Sequence, residues 1–272
     1  MAAQLIDTHC HLDAAEFDAD RAAVHAAANL GADGTARVAA LVIPAVERAN
    51  FGAVASVCRE FAGCAPAYGI HPLYVDRARP DDLDALGETL RREPAVAVGE
   101  IGLDRHVEPR DDALQEFYFV EQLKLARRLD LPVLLHVRRA IDPVLKQLRR
   151  QRVRGGIAHA FNGSREQAEE FIKLGFKLGF GGAMSFDGSK RIRTLAATLP
   201  LEAIVLETDA PDIPPAWKVG ARNTPADLLP IAETLAQLRS LPLDELAAAT
   251  TANALAVLPR LKGFTTTNGE TT

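Results

Sequence analysis

Cysteine is scarce in this 272-residue chain, with only Cys10, Cys58 and Cys64. They are odd in number and form no CxxC pair, which argues against a disulfide framework or a zinc finger and fits a reducing compartment. Long apolar runs are also missing. No stretch approaches the roughly 18 uninterrupted apolar residues of a membrane span. The N-terminus has no basic segment leading into a signal-like apolar run. The expectation is a cytoplasmic protein with no membrane partner. Positive charge is not in excess: 31 Lys and Arg stand against 36 Asp and Glu, a net charge of −5. That argues against a protein that coats duplex DNA through a broad basic face. It leaves room for an enzyme that takes one nucleic-acid end into a pocket. No GxGxxG turn follows the first strand pattern, no P-loop occurs, and no repeat or Pro/Gly/Ser-rich linker divides the chain.

What the chain does have is an alternation. Apolar, β-branched runs occur at 5–7, 38–44, 65–70, 95–102, 132–137, 155–160, 176–181 and 203–209, with helical patterns between them. The runs do not alternate with polar residues, as suits parallel strands covered on both faces. Helical segments include 113–129, 142–150 and 164–175; in the last, Ser164 reads as N-cap, Gln167 as its capping-box partner and Gly175 as the stop. Eight strand–helix repeats without a composition break predict an α/β fold, a single-domain (β/α)8 TIM barrel over 1–263. An open doubly wound sheet is the alternative. The polar stretch 264–272 reads as a disordered tail. No pattern specifies an oligomer, and a monomer is the expectation.

In a barrel, catalytic groups come from the C-terminal ends of strands. Five of the seven histidines fall at or just after a predicted strand end: His9, His11, His71, His136 and His159. Glu100 and Asp209 do the same. In extended chain, residues i and i+2 share a face, so IDTHCHLD aims His9 and His11 at one point and turns Cys10 away. Imidazole with carboxylate suits Zn, Mn, Fe, Co or Ni. Four histidines and two carboxylates exceed what one tetrahedral ion takes, so two ions bridged by a carboxylate fit the count better. Asp7, Asp104 and Glu207 are candidates to receive the other ring N–H of ligating histidines. Of the remaining histidines, His25 sits in an alanine-rich helix and reads as structural, and His106 follows GLD on the rim. Tyr74 and Trp217 lie in post-strand loops, where a ring can stack on a base or simply pack. The basic segment from Arg138 to Gly155 reads as a solvated helix face ahead of a DNA track.

IDTHCHLD, GIHP, GEIGLD, LHVRRA, HAFNGS, LETDAP and RNTP occur in this order. Together they closely resemble the TatD family of metal-dependent deoxyribonucleases, within the amidohydrolase-like barrel superfamily. The resemblance runs from about Leu5 to Pro259. It implies two divalent metal ions (Zn, Mn or Mg), one held by His9, His11 and Asp209 and the other by His136 and His159, with Glu100 bridging. His71 would face the substrate phosphate, with Arg138 near it. Arg222 and Asn223 would support the rim or contact substrate. The implied activity is cleavage of DNA phosphodiester bonds, exonuclease-like on single-stranded ends, by a hydroxide held between the metals, with Glu100, Asp209 and His71 as catalytic residues. One departure stands out: Leu73 occupies the place where members often carry a second histidine after GIHP. Rival readings are a barrel hydrolase of another ester, amide or phosphoester, and a scaffold keeping a vestigial site. The first commonly bridges its metals with a carboxylated lysine, where this chain has Glu100.

Overall fold

The structure, a computed structural model, describes residues 4–29 and 38–265. Eight parallel strands form one sheet in sequence order: β1 (Leu5–Asp7), β2 (Val38–Pro44), β3 (Cys64–Tyr68), β4 (Ala97–Asp104), β5 (Val133–Arg138), β6 (Gly156–Ala158), β7 (Phe176–Phe180) and β8 (Ile204–Leu206). The sheet closes on itself. Thr8 N donates to Leu206 O at 3.0 Å and Asp209 N to His9 O at 2.8 Å, joining the β1 and β8 ends. The predicted (β/α)8 TIM barrel is the observed fold. The expected tail at 264–272 falls, from residue 266 onward, outside the described residues.

Nine α-helices surround the described barrel: α1 (Arg21–Asn29), α2 (Phe51–Glu60), α3 (Pro80–Arg92), α4 (Asp112–Leu129), α5 (Ile141–Gln151), α6 (Arg165–Lys173), α7 (Lys190–Thr198), α8 (Leu228–Arg239) and α9 (Leu243–Val257). Among the described residues none is long and apolar enough to cross a membrane. The strands divide their side chains between two cores, as parallel strands covered on both faces must. On β2, Leu41 and Ile43 join the layer beneath the helices, whereas Ala40 and Val42 join Ile6, Ala67, Leu134, Ile157 and Val205 in a second cluster. Leu258 and Leu261, just past α9, belong to that second cluster and are fully buried. Phe264 packs partly buried against it.

Local signals set the helix ends. Ser164 Oγ accepts from Gln167 N at 3.2 Å, and Gln167 Oε1 accepts from Ser164 N at 3.0 Å, the reciprocal box that starts α6. Gly175 ends that segment with φ of 85°, a left-handed conformation that glycine adopts without the steric penalty of a side chain. Ser164→Ala should lower stability by about 1 kcal/mol, read as a lower urea midpoint at unchanged slope; an unchanged midpoint would mean water replaces the cap.

Candidate metal centre

Two strands shape the site. As the run at 5–7 predicts, β1 ends at Asp7 and His9 and His11 follow it. The segment beyond it stays extended because its backbone donates alternately to both neighbours. Thr8 N donates to Leu206 O, Cys10 N to Val42 O and His11 N to Ala210 O. The i, i+2 relation therefore survives: the two Nε2 atoms lie 3.3 Å apart, and Cys10 is buried in the core.

The strand carrying Glu100 is not regular. The β4–β5 register shifts between Val98 and Ile101. Glu100 N leaves the ladder and donates to Ala45 O, beyond β2, at 3.0 Å. Such an irregularity re-aims a side chain, here into the barrel mouth. Gly69 makes room for it: a Cβ there would lie 2.8 Å from Glu100 O and from Gly99 C.

The Glu100 carboxylate is 2% exposed and has histidines on both oxygens. On one side, Oε2 lies 3.1 Å from His9 Nε2 and 3.7 Å from His11 Nε2. On the other, Oε1 lies 3.1 Å from His136 Nδ1, 3.2 Å from His159 Nε2 and 3.5 Å from His71 Nε2. Asp209 closes the first side, its Oδ1 3.6 Å from His9 Nε2 and 3.7 Å from His11 Nε2. Asp209 has φ of 56°, a left-handed conformation that Asp tolerates better than most residues. Its N–H bond to His9 O holds it there.

Buried charge sets the electrostatics. Burial raises the Glu100 carboxyl, but the surrounding imidazoles of His71, His9 and His159, with the His136 hydrogen bond, outweigh that and hold it well below the ordinary value. Burial, with the His159 charge, lowers His9 to about 3. Burial also lowers His159, yet Glu100 and Asp209 beside it lift it to about 10. The His9 and His159 rings stack with centroids 4.1 Å apart, so the pair shares protons unequally.

Hydrogen bonds on the far ring atoms choose the atom each histidine presents. His136 Nε2 lies 2.9 Å from Asp104 Oδ2, leaving Nδ1 to face Glu100. Asp104 is fixed in turn, its Oδ1 accepting from His106 N and Val107 N. His159 Nδ1 points toward Glu207 Oε1 at 3.8 Å. His71 is different. Its Nδ1 accepts from Leu73 N at 3.1 Å, and a neutral imidazole carries one N–H. The proton is therefore on Nε2, the atom that faces the site. Burial keeps His71 neutral by lowering it to about 4.

The donor set fits divalent cations. His9, His11 and Glu100 offer atoms within 4.8 Å of one another, as do His9, His159 and Asp209, and His71, Glu100 and His136. His9 Nε2 and His11 Nε2 meet at 3.3 Å, a contact between two acceptors when both are deprotonated, which a cation placed between them relieves.

The remaining candidates lie around this cluster. Arg138 ends β5 two residues past His136, exposed and without an ion pair among the described residues. Arg222 turns away from the cluster: it pairs with Asp20 at 2.6 Å, donates to Glu16 O and lies 4.6 Å over the Phe17 ring. Asn223 is fully buried, and its Nδ2 donates to Thr208 O and Asp212 O at 2.7 Å each. These bonds tie Arg222 to the β1–α1 segment and Asn223 to the backbone behind Asp209. Trp217 is 46% exposed and its Nε1–H donates to Asp227. His25 lies against Phe61 and Ala62 on α1, away from the mouth. Tyr74, in the loop after β3 as the sequence places it, lies close to the cluster, its ring 6.0 Å from that of His71.

A closed parallel barrel with histidines and carboxylates converging at its C-terminal mouth defines a metal-dependent hydrolase. The chain belongs to the TatD related DNase family, whose profile matches residues 6–259. It is 39% identical over 253 residues to the uncharacterized metal-dependent hydrolase YjjV of Escherichia coli (strain K12), covering 92% of this chain and 95% of that protein. The crystal structure of YjjV matches with a TM-score of 0.88 at 38% identity, over 94% of this chain and 98% of that one. Deoxyribonuclease TATDN3 of Homo sapiens is 32% identical over 275 residues, covering 95% of this chain and 96% of that protein.

Proposed function

We propose that this chain hydrolyses DNA phosphodiester bonds, working from single-stranded ends, in a mouth that holds two divalent ions. The observation that carries the reading is the division of Glu100: Oε2 faces His9 and His11, and Oε1 faces His136 and His159. A carboxylate with a separate set of imidazoles on each oxygen is built to sit between two cations. His9, His11 and Asp209 would hold one, His136 and His159 the other; Zn, Mn and Mg are the candidates. When bound, such ions supply Lewis acidity at phosphoryl oxygens and lower the pKa of water. The deoxyribonuclease name of the human relative supports a nucleic-acid substrate.

The protein groups then have separable tasks. His71 Nε2–H donates to a non-bridging phosphoryl oxygen, because Leu73 N has already claimed Nδ1. Arg138, on the rim two residues beyond His136 and without an ion pair among the described residues, offers a planar fork for a phosphate. Asp209, next to His9 and His11, accepts the proton released as water attacks phosphorus in line. Asp104 fixes the ring of His136 so that Nδ1 stays turned inward.

The test is a digest of end-labelled single- and double-stranded oligonucleotides with Zn, Mn or Mg. Stepwise shortening of the single strand from one end is expected. Hydrolysis of simple esters or lactones with every oligonucleotide left intact would overturn the reading.

A further inference from the structure

We infer that the cleft between the β2–α2 and β3–α3 loops seats the nucleotide adjoining the one whose phosphodiester is cleaved. This rests on the nuclease reading and extends it to how the strand is held. The cleft has a volume of about 340 Å³ and its lining includes Arg48, Ile70, Tyr74, Arg77, Arg79 and Asp82.

Its place in the fold comes first. The metal cluster and the cleft share their walls. Ala45 O accepts from Glu100 N and Val46 O from His71 N, and the next residues along that loop, Glu47 and Arg48, line the cleft. On the other loop Ile70 lines the cleft and His71 follows it. The His71 ring lies between the two spaces: its Nε2 is 3.5 Å from Glu100, and the Tyr74 ring meets it edge-on at 6.0 Å. A group seated against Tyr74 is one ring away from the reacting phosphate.

The chemistry of the lining matches a nucleotide. Tyr74 is half-buried, and the Arg77 guanidinium lies 5.1 Å from its ring centroid. An aromatic ring and a guanidinium plane are the two surfaces on which unpaired bases stack. Three arginines face two carboxylates in the lining. Asp82 holds Arg48 at 2.8 Å, and Glu47 approaches Arg77 at 3.7 Å. Arg79 is exposed and has no ion pair among the described residues. One guanidinium is left over, enough for one phosphate. In a chain of net charge −5, this guanidinium adds positive charge at the edge of the mouth, although the carboxylate of Asp82 also feels that charge. The volume admits one nucleotide unit and no duplex, in keeping with a single strand.

The test compares a one-nucleotide substrate, the 4-nitrophenyl ester of thymidine 5′-monophosphate, with the single-stranded trinucleotide of thymidine. The readout is the ratio of their kcat/KM values. Tyr74→Ala should lower the preference for the trinucleotide on the order of ten-fold, mostly through KM, and Tyr74→Phe should restore it. Arg79→Glu should lower the same preference and flatten its salt dependence. A preference unchanged in both Tyr74→Ala and Arg79→Glu, in protein that melts like the parent, would overturn the assignment. Failure of the nuclease reading looks different: the parent protein hydrolyses neither substrate. Fluorescence anisotropy of labelled trinucleotide on the metal-loaded protein then decides the cleft by itself. Binding weakened by Tyr74→Ala and kept by Tyr74→Phe upholds it, and equal binding by all three proteins rejects it.

Discussion

Glu100→Gln should reduce oligonucleotide turnover by about a thousand-fold or more, equivalent to roughly 4 kcal/mol of barrier, while the barrel stays folded. The substitution keeps shape and removes one negative charge. In the native mouth that charge faces five ring nitrogens between 3.1 and 3.7 Å away. Without it, cations brought into the mouth repel one another with no shared negative charge to offset the repulsion. Metal content per chain should fall together with rate, because imidazoles on both sides of the mouth face this one carboxylate. The loss should not be structural. Glu100 packs in the mouth and not in the apolar cluster of Ile6, Val42 and Leu134 that fills the barrel. Three measurements check this: single-turnover hydrolysis, elemental analysis after dialysis, and thermal melting by circular dichroism. EDTA should silence the parent protein in the same way, and added metal should restore it. A Glu100→Gln protein that turns over within ten-fold of the parent removes Glu100 from the bridging position.

How much of this was legible in the sequence depends on how local each cause is. Helix ends are local. The segments expected at 113–129, 142–150 and 164–175 are α4, α5 and α6 to within two residues, because caps such as Ser164 with Gln167 act over one turn. The convergence of His9, His11, Glu100, His136, His159 and Asp209 is legible too, since a parallel barrel brings every strand's C-terminal end to one rim. The way Glu100 is aimed is not legible. It depends on a register shift in β4 and on a hydrogen bond to Ala45, both set by neighbouring strands. Nor is the use of Arg222, whose partner Asp20 is 202 residues away. The three carboxylates expected beside imidazoles divide. Asp104 meets His136, and Glu207 approaches His159 but puts its shorter bond, 2.5 Å, on Ala160 N. Asp7 touches no imidazole ring; it binds backbone and a hydroxyl instead. Residue type and spacing say that a buried carboxylate needs donors, but not which donors the loops will bring.

Asp7 gives the second large effect, on stability. Asp7→Ala should lower the unfolding free energy by about 3 kcal/mol, whereas Asp7→Asn should lower it by less than about 1 kcal/mol. Asp7 is wholly buried at the end of β1. Its Oδ1 accepts from His9 N at 3.2 Å and from Thr208 N at 3.0 Å, and its Oδ2 accepts from Thr208 Oγ1 at 2.5 Å. These bonds staple the seam where the last strand meets the first. Alanine leaves two backbone N–H groups and a hydroxyl in a dry interior with no acceptor, and an unsatisfied buried donor costs about 1–3 kcal/mol. Asparagine keeps the shared acceptor and loses only a charge the site holds poorly. Burial already pushes the Asp7 carboxyl up to about 7 despite the Thr208 and His9 bonds. The amide then faces Thr208 Oγ1, which can accept as well as donate. The seam carries His9 on one side and Asp209 on the other, joined by the bond from Asp209 N to His9 O. Metal affinity should therefore weaken in Asp7→Ala along with the urea midpoint, and both should recover in Asp7→Asn. An Asp7→Ala midpoint equal to that of the parent would mean that the backbone bonds alone close the barrel.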